Sequence, residues 1–195
     1  MQDFNLYFSF GWQHICDWKG YDHILFITAL CGIYLLKEWK KVLILITAFT
    51  IGHSLTLALN VLDLIHVNTS IIEFLIPVTI ALTCMLSILN TNQTSTLKIN
   101  YIAALFFGLI HGLGFSSYLK SLLGSSDAVT GPLFSFNLGL ELGQLFLVIL
   151  IQLLTFLIVS VLGISRRDWK LFLSSAIFGI AFIMCIERFQ LINIE

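Results

Sequence analysis

Eight side chains able to bind a metal or move a proton interrupt otherwise apolar sequence: Asp22, His23, His53, Glu73, His111, Asn137, Glu141 and Gln144. They come from five separate hydrophobic segments. If those segments cross a bilayer in alternating directions, all eight fall in the same half of it. Ionisable groups at membrane depth are expensive and face a bundle interior or a water-filled cavity. Three histidines and three carboxylates at one level have the composition of a divalent-metal site, because imidazole and carboxylate suit zinc, nickel, cobalt or ferrous iron. Copper(I) would prefer thiolate or thioether, and no Met or Cys joins the group. Neutral imidazole is the binding form, so metal binding should release protons and weaken below about pH 6.

The elements that must carry these groups follow from composition. The chain has 195 residues, is 58% hydrophobic and 11% charged, and has a mean hydropathy of +0.96; an ordinary soluble domain carries roughly 25% charged residues. This predicts an all-α, polytopic membrane helix bundle forming one domain over 1–195. A span needs about 20 apolar residues, and six candidates run approximately over 21–36, 42–62, 71–90, 99–120, 132–162 and 169–190. Ahead of them, within 4–18, Phe4, Tyr7, Phe8, Trp12 and Ile15 mark one side of an amphipathic stretch suited to lying in the membrane interface. The opening MQDFNLYFSF lacks the basic region of a secretory signal and reads as mature protein. A net charge of −1 argues against a nucleic-acid partner. Cys16, Cys31, Cys84 and Cys185 form no CxxC pair, so no structural zinc or redox motif is visible.

Loop charge predicts the orientation. Lys37, Lys40 and Lys41 follow the first span, Lys98 the third, and Arg166, Arg167 and Lys170 the fifth, whereas the opposite side has Lys19, Lys120 and Arg188. The positive-inside rule then places both termini outside the cytoplasm. Asp22 and His23 lie at the outer end of the first span, His53 past the middle of the second, and Glu73 near the start of the third. His111 lies about 18 Å from the cytoplasmic end of the fourth at 1.5 Å per residue. His14 precedes the first span and can fold down over the same place. The cytoplasmic half offers Thr28, Thr47, Thr83, Cys84, Ser87, Gln152 and Thr155 but no histidine or carboxylate.

Helical phase adds detail. Asn137, Glu141 and Gln144 recur at i, i+4, i+7 and share a face. Gly108 and Gly112 flank His111, and Gly139 and Gly143 flank Glu141; small residues let backbones approach closely in lipid, which would bring His111 and Glu141 together. The candidate metal ligands are therefore His14, Asp22, His23, His53, His111 and Glu141. Glu73, Asn137 and Gln144 are expected to hold the ligands rather than touch the ion. His66 reads as a loop residue, and Glu187 is expected to pair with Arg188 or Lys19.

At these positions the chain resembles the HupE/UreJ family of bacterial membrane proteins. The matching segments are HICDWKGYDHILF (14–26), FTIGHSLTL (49–57), FFGLIHGLGF (106–115) and FNLGLELGQL (136–145). They lie in the first, second, fourth and fifth spans, and the likeness is to the compact branch whose first span begins with a YDHILF-type segment. The resemblance implies a nickel or cobalt permease of the bacterial cytoplasmic membrane, with His14, Asp22 and His23 standing for a His…Asp-His metal motif. Seven residues separate His14 from Asp22, where the family motif usually has five.

Three functions remain open on this reading. A permease would capture nickel, cobalt or a similar ion outside and release it inward by a gradient or a conformational change. An intramembrane zinc-dependent hydrolase or transferase would use the same ligands, with Glu141, Glu73 or Asp22 as general base and Ser54 contacting substrate. A metal-binding accessory or assembly protein is the third. A permease requires a polar path or hinge below the site, and an enzyme a closed floor with an external cleft. Oligomeric state is not encoded in any feature of the sequence.

Overall fold

A computed structural model describes residues 2–18, 20–89, 97–123 and 129–192. The chain forms α1 (Gln2–Cys16), α2 (Asp22–Cys31), α3 (Trp39–Val61), α4 (Thr69–Leu89), α5 (Leu97–Leu123), α6 (Thr130–Phe156) and α7 (Arg166–Ile192). A 3₁₀ turn, Leu36–Glu38, leads into α3, and a π turn, Leu157–Val161, extends α6. The architecture is an all-helical membrane bundle. Among the described residues, five helices are long and apolar enough to cross a bilayer: Leu36–Val61, Thr69–Leu89, Asn100–Leu122, Thr130–Val161 and Arg166–Ile192. They correspond to the second to sixth of the expected spans.

The first expected span takes a different form. α2 has ten residues and rises only about 15 Å, half of the ~30 Å hydrocarbon thickness. Its partner is α1, which packs along α6. α1 runs lengthwise and parallel along α6: Ser135 donates to the Phe4 carbonyl, Gly139 meets the backbone of Phe8 and Trp12, and Gly143 meets Trp12 and Ile15. At the far end of α2, the Cys31 carbonyl accepts from Gln152 Nε2 at 2.9 Å, and the Gly32 carbonyl accepts from Thr155 Oγ1 at 3.1 Å and Trp169 Nε1 at 3.0 Å. α1 and α2 thus follow α6 from its first turns to its last as one interrupted helix. The carbonyls freed where α2 stops are satisfied by side chains, the condition for ending a helix inside a bundle.

Glycine explains the tightest seams. A Cβ on Gly11 or Gly139 would strike the carbonyl oxygen of Phe136 or Phe8. The same holds between the parallel α3 and α5, where Gly52 faces the Leu105 carbonyl, Gly108 the Phe49 carbonyl and Gly112 the His53 carbonyl. Gly139 and Gly143 therefore seat α1 against α6 and do not draw His111 toward Glu141. The remaining pair, α4 and α7, runs antiparallel, joined by Ser174–Ser87 at 3.0 Å near one end and Arg188–Glu73 near the other.

Overpacking these contacts costs about 1–3 kcal/mol or more. Gly108→Val should lower the melting temperature in detergent and loosen the α3–α5 seam. Gly179 has nothing within 4 Å of the place a methyl group would take, and should accept Ala with unchanged or higher stability; equal melting curves for both variants would contradict the seam.

Candidate metal centre

Four histidines from four helices meet where α1 gives way to α2. His14 ends α1, His23 opens α2, His53 lies on α3 and His111 on α5. One nitrogen each of His14, His23 and His53 lie within 4.8 Å of one another. The His111 ring is 5.2 Å from the His23 ring, and the His14 and His23 rings are 4.5 Å apart. His23 is 3% exposed, and His53 and His111 are fully buried.

Hydrogen bonds settle which nitrogens face inward. Asp22 Oδ1 accepts from the His23 backbone N–H at 2.8 Å and lies 3.0 Å from His23 Nδ1. An ionised carboxylate only accepts, so Nδ1 carries the ring proton and the Nε2 lone pair is free. Thr79 Oγ1 donates to the Ile76 carbonyl at 2.7 Å and lies 3.0 Å from His111 Nε2. With its proton committed, the hydroxyl accepts from Nε2–H and leaves the His111 Nδ1 lone pair free. His14 Nε2, His23 Nε2, both nitrogens of His53 and His111 Nδ1 are buried and have no hydrogen-bond partner. Buried polar atoms are nearly always paired. Three imidazoles with ligating nitrogens within 4.8 Å of one another, and His111 beside His23, make a donor set that fits a divalent ion. Asp22 stands behind His23 in the orienting position that metal-bound histidines commonly have.

The other expected residues separate. Glu141 is exposed on the outer side of α6 and does not join the histidines. The reason is phase: Gly139 and Gly143 take the packed face against α1, and a position two residues from each lies about 200° around the helix. Asn137 accepts from Ser54 Oγ at 2.7 Å, and Gln144 Oε1 accepts from Thr50 Oγ1 at 2.6 Å. These pairs zip α6 to α3 and do not contact the ligands. Glu73 pairs with Arg188, so Arg188 is not held by Glu187, which is exposed; Lys19 lies outside the described residues. His66 is exposed and lies 3.3 Å from Asp63.

A pocket leads from His14, Asp22, His23 and His111 past Ile76, Pro77 and Met184 to Glu73 and Arg188. On the opposite side, the Phe26 and Phe49 rings lie 4.7 Å apart, tilted by 31°, with both within 5.3 Å of His111, and Phe107 lies 6.2 Å from Phe26. These rings form an apolar floor. Thr79 and the floor went unnoticed in the sequence; for Phe49 the available signal was its place one turn from His53.

Fold and site define a polytopic membrane protein with a buried imidazole cluster reached from one end of the bundle. The chain belongs to the HupE/UreJ family: the family model described as HupE / UreJ protein matches residues 1–189. No curated protein and no solved structure gives a significant match.

His53→Ala and His111→Ala should each abolish stoichiometric metal in the purified protein. Asp22→Asn should weaken it about 10–100-fold, and Glu141→Gln should leave it unchanged, as read by elemental analysis and calorimetry. Protonated imidazole cannot ligate, so acidification should release the metal, as read by elemental analysis after dialysis at falling pH.

Proposed function

We propose that the chain captures a divalent transition metal, nickel or cobalt in the first instance, at His14, His23, His53 and His111, and conveys it across the cytoplasmic membrane of a bacterium. The observation that carries this is the set of buried, unengaged imidazole nitrogens from four helices, of which those of His14, His23 and His111 belong to residues lining a pocket open to one end. Lys37, Lys40, Lys41, Arg166, Arg167 and Lys170 gather at the other end, which the positive-inside rule assigns to the cytoplasm. The pocket then faces outward, toward incoming ions.

Imidazole donors suit nickel and cobalt as well as zinc. The interruption between α1 and α2 supplies the hinge a permease needs, since broken helices at midplane sites are common in transporters.

One observation favours a second reading. The floor of Phe26, Phe49 and Phe107 closes the pocket from below, as an intramembrane zinc-dependent hydrolase or transferase would require. Of the acids and nucleophiles considered for that chemistry, Glu73 and Asp22 line the pocket, while Ser54 is bonded to Asn137 and Glu141 is turned outward.

Uptake decides between them. Proteoliposomes given radiolabelled nickel, cobalt and zinc should accumulate nickel or cobalt, and the His53→Ala protein should not. Tight equimolar zinc with no uptake of any of the three ions would replace the permease by the enzyme.

A further inference from the structure

At the basic end of the bundle, separate from the histidines, a second cavity opens between α2, α4, α5 and α7. Its mouth carries Glu38, Lys41, Arg166 and Lys170, its wall Tyr34, Ser87 and Asn100, and its inner surface Leu30, Leu86, Ala104 and Phe107. The mouth is built rather than incidental. Glu38 accepts from Lys41 Nζ at 2.8 Å and from Arg166 Nη2 at 2.6 Å, and Arg166 Nε also donates to the Ile33 carbonyl at 3.3 Å. Asn100 Nδ2 reaches the Tyr34 hydroxyl at 3.3 Å. Of the described charged side chains that line the cavity, three are cationic and one is a carboxylate, a positive balance.

That balance opposes a divalent cation, and the cavity is therefore not an exit counterpart of the histidine site. It fits an anion. The apolar interior is too extensive for a free inorganic ion, whose hydration would be lost against Leu30, Ala104 and Phe107 without replacement. Leu86, which lines the cavity, is 40% exposed. We infer that this cavity binds an anionic phospholipid of the adjoining leaflet, its phosphate among Lys41, Arg166 and Lys170 and the start of an acyl chain along Leu30, Leu86, Ala104 and Phe107. Basic pockets between membrane helices on the cytoplasmic side are suited to such headgroups.

The test is native mass spectrometry of the full chain released from nanodiscs containing equal phosphatidylglycerol and phosphatidylcholine. The wild type should retain phosphatidylglycerol selectively, and Lys41→Gln/Lys170→Gln should lose about tenfold or more of that preference, taking about 1 kcal/mol per basic side chain. Lys37→Gln/Lys40→Gln, at the same end but outside the cavity, should keep it. No preference in the wild type, or equal loss in both double variants, would overturn the site, the second result meaning general surface attraction. Thermal protection by inorganic phosphate equal to that by the lipid would overturn the lipid as occupant. An unchanged monodisperse elution profile and metal content show that each variant is folded, and the readout does not depend on whether the histidines transport.

Discussion

Gathering four imidazoles at one point inside a helix bundle depends on how closely the helix backbones approach. Ordinary helix pairs sit about 8–10 Å apart, and side chains the length of histidine then meet only at the edges of the interface. Here Gly52 precedes His53 in the chain, Gly112 follows His111, and Gly108 lies one turn before it. Each glycine presses on a backbone carbonyl of the facing helix. The α3–α5 seam is therefore closest where the two histidines leave it. Gly11, Gly139 and Gly143 do the same for α1 against α6, delivering His14 to the same level. Without a hydrophobic force between helices in lipid, such contact and hydrogen bonding are what hold the pairs together.

The two ends of the bundle then diverge chemically. Toward one end the polar groups are imidazoles with free lone pairs, an acid behind one of them, and a pocket lined farther out by Glu73 and Arg188. Toward the other end the polar groups are spent on structure: Gln152, Thr155 and Trp169 satisfy the end of α2, Ser174 meets Ser87, and Glu38 ties Arg166 to Lys41. Phe26, Phe49 and Phe107 lie between the two sets, fully or nearly fully buried. An ion moving inward has to displace that aromatic layer, and it meets positive charge beyond it.

The depth of His23, His53 and His111 was legible in the sequence because alternating spans convert position along the chain into position across the bilayer. Rotation about the helix axis was less legible. The face shared by Asn137, Glu141 and Gln144 is real, and two of its members bond to α3, but the packed side of α6 is set by Ser135, Gly139 and Gly143. The i, i+4, i+8 spacing of those small residues was present to be read, and it places Glu141 on the far side. The role of α1 was hidden for a different reason. Its aromatic residues suit a lipid interface and a helix groove equally well, and only the facing glycines of α6 decide between them.

The break between α1 and α2 is the step on which the metal centre turns. In an unbroken helix His14 and His23 would be nine residues apart, separated by about 13.5 Å along the axis and by about 180° around it. No single ion could touch both. Interrupting the helix after Cys16 and restarting it at Asp22 folds the two rings to 4.5 Å. The number of residues between His14 and Asp22 is then a loop length rather than a helical repeat, and His14 stays in the cluster. It also leaves the ligands on separately anchored pieces. α1 is fixed to α6 by glycine contacts, and α2 is fixed to α6 and α7 through the carbonyls of Cys31 and Gly32. A small displacement of one half-helix against the other would change how many imidazoles reach the ion while leaving the α3–α5 pair of His53 and His111 in place. That is a physical means of loosening a bound ion without unfolding any helix.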